Sequence, residues 1–256
     1  MKTVAIVEAR MGSSRLPGKV LMDIGGVPAL KLLCERLASC RRIDDIVIAT
    51  SVSAADQAIE NFGKDNDIKV FRGSEEDVLG RVAGAAEFAG ADVIVEITGD
   101  CPLMDTEVVD HVTGYFLDHY PEYDYVTNIG YVANQKREIP IGMDVRVFTY
   151  KDLKHISEIT DDPEDREHVS LYFFRTGKDT YKLKSLPIPD KWKRDYPVRI
   201  ALDTEDDLNF IRTLYDGLKK QNSASGLSEI LRYTDMNSEI LKLNSEVVQK
   251  TVSGIE

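Results

Sequence analysis

Three cysteines in 256 residues leave no basis for a disulfide-built scaffold. Cys34, Cys40 and Cys101 are odd in number, show no metal-ligand spacing and suit a reducing compartment. Long apolar runs are missing as well: no stretch approaches the roughly 20 residues of a membrane helix. The opening MKTVAIVEAR is too short in its apolar core for a signal peptide and reads as a first strand. Positive charge is in deficit. A net charge of −12 argues against nucleic acid as a partner, because tracking phosphates demands a basic face. Internal repeats and low-complexity tracts are also lacking. What remains is ordinary globular composition, 43% hydrophobic and 30% charged, expected to be soluble and cytoplasmic with no membrane partner.

The first half alternates strand and helix patterns. Thr3–Val7, Ile46–Ala49, Ile68–Phe71 and Val93–Ile97 are short β-branched or apolar runs. Between them, Leu30, Leu33, Cys34 and Leu37 follow Pro28 at helical spacing; Ala54–Asn61 and Val78, Leu79, Val82, Ala86 mark two more helices. Val109, Val112 and Phe116 mark the next. This alternation predicts an α/β fold: a doubly wound, mostly parallel sheet with helices on both faces. In the commonest order strands one and four are neighbours, so loops Ala9–Lys19 and Thr98–Met104 flank the crevice where ligands bind.

The second half is less regular. Tyr123–Thr127, Met143–Phe148 and Val198–Leu202 read as strands, and Leu208, Ile211, Tyr215 and Leu218 as a helix face. Gln221–Gly226 is the linker candidate. The expected organisation is a domain over 1–220 and a helical C-terminal arm over 227–250, with Leu227–Val248 helical and packed on the domain or on the second copy of a homodimer.

The loop Ala9-Arg10-Met11-Gly12-Ser13-Ser14-Arg15-Leu16-Pro17-Gly18-Lys19 gathers three cations, two hydroxyls and two glycines after the first strand. Exposed amides with charge-assisted donors are what phosphate binding needs, arginine gripping bidentately and lysine serving as a point charge. It is not a P-loop: five residues separate Gly12 from Gly18, and Val20 stands where a magnesium-binding hydroxyl belongs. A G-x-G-x-x-G fingerprint is absent too.

This loop resembles the nucleotide-binding signature of the cytidylyltransferases that act on 3-deoxy-manno-octulosonate and acylneuraminates, and most of all the branch of spore-coat polysaccharide biosynthesis protein F. The resemblance runs from Val4 to about Leu214. It includes Arg72-Gly73-Ser74-Glu75-Glu76-Asp77-Val78-Leu79, Thr98-Gly99-Asp100-Cys101-Pro102-Leu103, Gly142-Met143-Asp144-Val145, Arg166-Glu167-His168-Val169 and Leu202-Asp203-Thr204-Glu205-Asp206-Asp207-Leu208. It implies a nucleotide-diphospho-sugar transferase (GT-A-like) fold and transfer of CMP from CTP to an acidic sugar or sugar phosphate in glycan precursor synthesis. Arg10, Arg15 and Lys19 then neutralise the triphosphate as catalytic cations, and Ala9, Gly12, Ser13, Ser14, Thr50, Ser51, Arg72, Gly73 and Ser74 bind the nucleotide. Asp144 and His168 fall on the acceptor side.

Asp100, directly after a strand and beside the cationic loop, is suited to hold Mg2+ against a triphosphate, and the resemblance makes it and Asp203 the metal ligands. Each has a competing reading as a helix cap, although Asp105 and Thr204 stand ready for that task. Ser74 likewise fits a turn at a helix start. The sequence departs from the branch at Glu8, where a neutral amide is more usual, and at Arg146, more often acidic; with Lys136 and Arg137 these bear on the acceptor's identity. The rival activity is a GT-A-like glycosyltransferase using a nucleotide-sugar donor, for which a triphosphate-sized cationic loop is less suited.

Overall fold

The computed structural model describes residues 1–130, 137–221 and 226–249. The sheet begins with β1 (Thr3–Glu8), β4 (Asp45–Ser51), β5 (Lys69–Gly73) and β6 (Val93–Thr98). The helices between them are α1 (Ala29–Ala38), α2 (Gln57–Asp65) and α3 (Val78–Ala89), with α4 (Thr106–His119) after β6. A small hairpin, β2 (Asp23–Ile24) against β3 (Val27–Pro28), leads into α1. The second half adds β7 (Tyr125–Thr127), β8 (Arg146–Thr149) and β9 (Leu183–Ser185). Its helices are α5 (Tyr150–Ile159), α6 (Pro163–Glu167), α7 (Leu171–Phe174), α8 (Glu205–Lys220) and α9 (Leu227–Met236).

Among the described residues, seven strands form one sheet in the order β5-β4-β1-β6-β8-β7-β9. All run parallel except β8, which is antiparallel to both its neighbours. Side-chain alternation splits the core in two. Ala5 and Val7 of β1 face the layer that holds α1, α4, α8 and α9, while Val4 and Ile6 face α3 and α5. Both faces of β1 are therefore dry, which is why its sequence is a continuous apolar run instead of an alternating one.

Two expectations need correction. Val198–Leu202 is extended but not a strand of the sheet; it makes a single parallel bridge, Ile141 to Arg199. All five residues of the segment are buried, and apolar Val198, Ile200 and Leu202 at alternate positions imitate a strand in sequence. The arm is not one helix to Val248. Helix α9 stops at Asn237, whose side chain donates to the Tyr233 carbonyl at 2.9 Å, and a 3-10 turn over Ser238–Leu243 follows. Leu227, Ile230 and Leu231 are fully buried in the domain's own core, so the apolar face of α9 is spent within the chain. The linker candidate lies mostly outside the described residues.

Gly142 sits where the loop before β8 crosses the 198–202 segment. Its φ is +98°, and a Cβ there would lie 2.7 Å from the Ala201 nitrogen and 2.8 Å from the Ile200 carbonyl carbon. Both contacts are backbone, so neither can swing aside. Gly142→Ala is expected to cost at least ~2 kcal/mol of stability, through dihedral strain and this clash together. Urea denaturation of the two proteins measures it.

Candidate functional site

β1 and β6 lie side by side in register from Thr3 opposite Val93 to Glu8 opposite Thr98. Chain connections leave β1 toward β4 on one side and β6 toward β8 on the other, so their carboxyl ends form a switch point. The two loops that leave it are tied together. The Gly99 amide donates to the Glu8 carbonyl at 2.8 Å, and a Cβ on Gly99 would stand 2.7 Å from that oxygen. Glycine lets the backbones meet here.

The cationic loop is folded on its own backbone and anchored by apolar side chains. The amides of Ser13 and Gly18 both donate to the Met11 carbonyl, at 3.0 and 2.9 Å. The Met11 amide donates to buried Asp56 at 2.6 Å, and Leu16 and Val20 sink into the core. Gly18, at φ +73°, turns the chain into a short 3-10 helix over Lys19–Leu21. Lys19 is thereby aimed inward.

Its ammonium group meets two carboxylates that are 103 residues apart in sequence. Lys19 Nζ donates to Asp100 Oδ2 at 2.8 Å and to Asp203 Oδ1 at 2.7 Å. A backbone bond from the Leu202 amide to the Asp100 carbonyl, 2.8 Å, draws the two acidic loops together. Asp203 also accepts from Arg15 at 3.1 Å and from Arg199 at 2.5 Å. Burial disfavours the charge on Lys19, yet the two aspartates outweigh it and raise its pKa above the ordinary lysine value. Asp203 moves the other way: burial opposes its charge, but Lys19, Arg15 and Arg199 bring it down to about 2. Both groups are held charged.

The competing cap readings are resolved by geometry. Asp105 caps α4, accepting from the Val108 amide at 2.9 Å, and its second oxygen takes the Leu227 amide at 2.6 Å. Thr204 caps α8 in a reciprocal capping box with Asp207. Asp100 and Asp203 are therefore released from capping and face Lys19.

A cavity of about 410 Å³ opens over this cluster. Ala9, Arg10, Ser13, Ser14, Arg15, Lys19, Asp100, His168 and Asp203 of the expected site residues line it. Gly12 does not, and lies near the Glu75 carboxylate. Thr50, Ser51, Arg72, Gly73 and Ser74 are also outside its wall. Ser51 bonds Asp56, and Arg72 spends its guanidinium on the Ser51 and Ser53 carbonyls, Gln57 and Glu60. Ser74 accepts from the Asp77 amide at 3.1 Å, while Asp77 itself caps α3. Asp144 is not among the lining residues; it is gripped through both oxygens by Arg137 and approached by Arg146 at 3.8 Å. Lys136 falls outside the described residues. A larger hollow of about 790 Å³ lies near the amino ends of β4 and β5, lined by Lys31, Cys34 and Lys69 among others, away from this convergence of charge.

The cavity has members that the sequence did not single out, Arg81 of α3 and Gln249, and it adds Glu167 from the Arg166–Val169 motif. Arg199 stands behind Asp203, only 6% exposed. Arg81 could have been found as a charge on the apolar face of α3, one residue before Val82. No local signal marks Gln249. Among the described residues no group of three or more His, Cys, Asp or Glu is placed to hold a metal.

Glu8 ends β1 at the cavity wall, with Oε1 cut off from solvent and without a hydrogen-bond partner among the described residues. Burial, reinforced by nearby Glu96 and resisted by Arg81 and Arg146, pushes its pKa up to about 8. Between the ordinary 4.5 and about 8, the folded protein keeps a proton that the unfolded chain has released. Stability from this group therefore falls as pH rises through that window, by up to ~1.4 kcal/mol per pH unit. Glu8→Gln removes the titrating group at nearly constant shape. Its stability is expected to gain steadily on the native protein from pH 5 to about 8 in urea denaturation.

The comparisons with known proteins fit this geometry. A family model described as cytidylyltransferase matches residues 4–235. The spore coat polysaccharide biosynthesis protein SpsF of Bacillus subtilis is 34% identical over 233 residues, 88% of this chain and 92% of SpsF. An 8-amino-3,8-dideoxy-manno-octulosonate cytidylyltransferase of Shewanella frigidimarina is 30% identical over 189 residues, covering 70% of this chain and 69% of its own. Among solved structures, a cytidylyltransferase from Leptospira borgpetersenii superposes with a TM-score of 0.85 at 28% identity, covering 98% of this chain and 99% of the other. With the signature loop, the sheet order and the charged cavity all in place, this chain belongs to the cytidylyltransferase family.

Proposed function

We propose that the protein transfers CMP from CTP to an acidic sugar or sugar phosphate, releasing pyrophosphate, as a step in making a cell-surface glycan precursor. The observation that carries this reading is Lys19 held between Asp100 and Asp203 at the floor of a cavity rimmed by Arg10 and Arg15. Family membership and the named activity of the Shewanella relative support it. The same reading places the work in the cytoplasm. Three free, buried cysteines suit a reducing compartment, and among the described residues no helix is long and apolar enough to cross a membrane.

An acceptor oxygen attacks the α-phosphorus, the bond from that phosphorus to the α,β-bridging oxygen breaks, and pyrophosphate leaves. Such displacement depends on positioning and charge neutralisation more than on covalent help from the protein. Arg10, Arg15 and Lys19 supply the positive charge, and the folded backbone of residues 9–18 brings amides and the Ser13 and Ser14 hydroxyls to the same wall. His168 and Glu167 line the cavity too, and serve acceptor contacts. Burial lowers the pKa of His168, which favours a neutral imidazole able to donate and accept.

The donor set fits magnesium. Asp100 and Asp203 present one oxygen each to a single cation, now the lysine ammonium, and magnesium takes one or two carboxylates with phosphate and water completing its shell. Both aspartates would hold the ion, whose contribution is to neutralise charge on the triphosphate.

The test is pyrophosphate release from CTP, GTP, UTP and ATP with magnesium across a panel of acidic sugars and sugar phosphates. Release is expected with CTP and one acceptor class only. Asp100→Ala and Lys19→Ala are each expected to lower kcat/KM by about 10²–10³-fold, the scale for a deleted electrostatic group. Tight binding of a nucleoside diphosphate sugar with no release from any triphosphate would instead favour a glycosyltransferase.

A further inference from the structure

The last described residues of the chain return to the cavity. After the 3-10 turn over Ser238–Leu243 the chain is pinned at Asn244, 5% exposed. Its side-chain amide donates to the Arg199 carbonyl at 3.1 Å and to Asp207 Oδ1 at 3.0 Å. Five residues on, the strap reaches the charged cluster. The Val248 carbonyl accepts from Arg15 Nη1 at 3.2 Å, the Gln249 side-chain oxygen accepts from Arg199 Nη1, and Gln249 lines the cavity wall. All of this lies beyond residue 235, where the match to the family model ends.

The strap thus touches both arginines that hold Asp203. Arg199 donates through Nε to Asp207 at 2.8 Å and through Nη2 to Asp203 at 2.5 Å and Asp207 at 3.3 Å. Its remaining terminal nitrogen goes to Gln249. A guanidinium that is nearly buried needs its donors filled, or it turns to find partners. Turning would carry Asp203 with it. Lys19 and Arg15, the other two cations on Asp203, belong to the phosphate-binding loop, so a triphosphate competes with Asp203 for them. Arg199 is the partner set apart from that competition. A neutral amide suits the place beside it: it completes Arg199 without adding negative charge where a triphosphate must settle.

We propose that residues 244–249 are a working part of the nucleotide site, with Gln249 a positioning residue that fixes Asp203 through Arg199 and faces the bound triphosphate. The proposal rests on the triphosphate reading given above. It separates this segment from a simple terminal tail, which would leave nucleotide affinity unchanged.

Three variants of the full chain test it by calorimetric titration with CTP, with and without magnesium, and by thermal melting. Gln249→Met keeps the shape and loses the acceptor oxygen; CTP affinity is expected to fall about tenfold. Gln249→Glu strengthens the pair with Arg199 but sets a carboxylate in the cavity. Here affinity is expected to fall further than in Gln249→Met while the melting temperature stays within about 3 °C of the native protein or rises. Asn244→Ala unpins the strap and is expected to weaken CTP binding in the same direction. Native affinity in both Gln249 variants overturns the proposal, and so does weakening that merely tracks lost melting temperature. Pyrophosphate release by the native protein is read in parallel. If it occurs while the variants bind CTP normally, the strap proposal fails and the transferase reading stands. If the native protein binds CTP but releases no pyrophosphate, the transferase reading fails and the titrations still decide on the strap. Absence of CTP binding by the native protein overturns both.

Discussion

A half-buried ammonium group shared by two carboxylates organises the carboxyl edge of this sheet. Lys19, Asp100 and Asp203 come from three separate segments of the chain, and pairing offsets the cost of withdrawing their charges partly from water. The contact holds Lys19 and Asp203 in their charged forms, as the raised pKa of the one and the lowered pKa of the other record. The arrangement is a stability compromise that leaves a functional asset. It keeps two acidic groups aimed at one point, with the lysine ammonium between them.

The rest of the edge can be understood as support for that point. The Leu202–Asp100 and Gly99–Glu8 backbone bonds bring the loops into reach. Asp207 stands behind Arg199, accepts the amides of Asp203 and Thr204, and with Thr204 caps α8. One fully buried carboxylate thus serves a helix end and the site at once. Asp56 does comparable work on the other flank, taking the Met11 amide of the cationic loop and the Ser51 amide and hydroxyl at the end of β4. Preorganisation of this kind matters for phosphoryl chemistry, where electrostatics fixed before the substrate arrives need not be rearranged as charge develops.

A second layer of charge lies deeper. Glu8 and Glu96 sit on neighbouring strands, opposed by Arg81 and Arg146, and Arg146 links onward to Asp144 and Arg137. Burial raises the pKa of both glutamates, with Arg146 the main opposing influence on Glu96. Where the resemblance leads to the expectation of a neutral amide, a protonated glutamic acid offers one donor and one acceptor in nearly the same shape. The substitution thus changes less chemically than its formal charge suggests.

The alternation of elements, the edge at which ligands gather and the cationic loop were all legible before folding was considered. These are local properties: β-branched runs, helical spacing, and glycines where the backbone must turn. Periodicity put Asp100 and Asp203 at strand ends and Asp105 and Thr204 at helix starts, and the clustering of charge in one loop marked Arg15 and Lys19; the metal role of the two aspartates came from the family resemblance. Which carboxylates cap and which face the cation was settled by the folded chain, since both tasks use aspartate at similar places in the sequence. The tertiary structure also placed Val198–Leu202 outside the sheet, turned Arg72 away from the cavity, and brought Arg81, Arg199 and Gln249 to the site. Contacts such as Arg199 with Gln249, or Lys19 with Asp203, join residues from 50 to 184 positions apart. No periodicity encodes such a distance; it is settled by how the sheet closes and where the last helix is forced to pack.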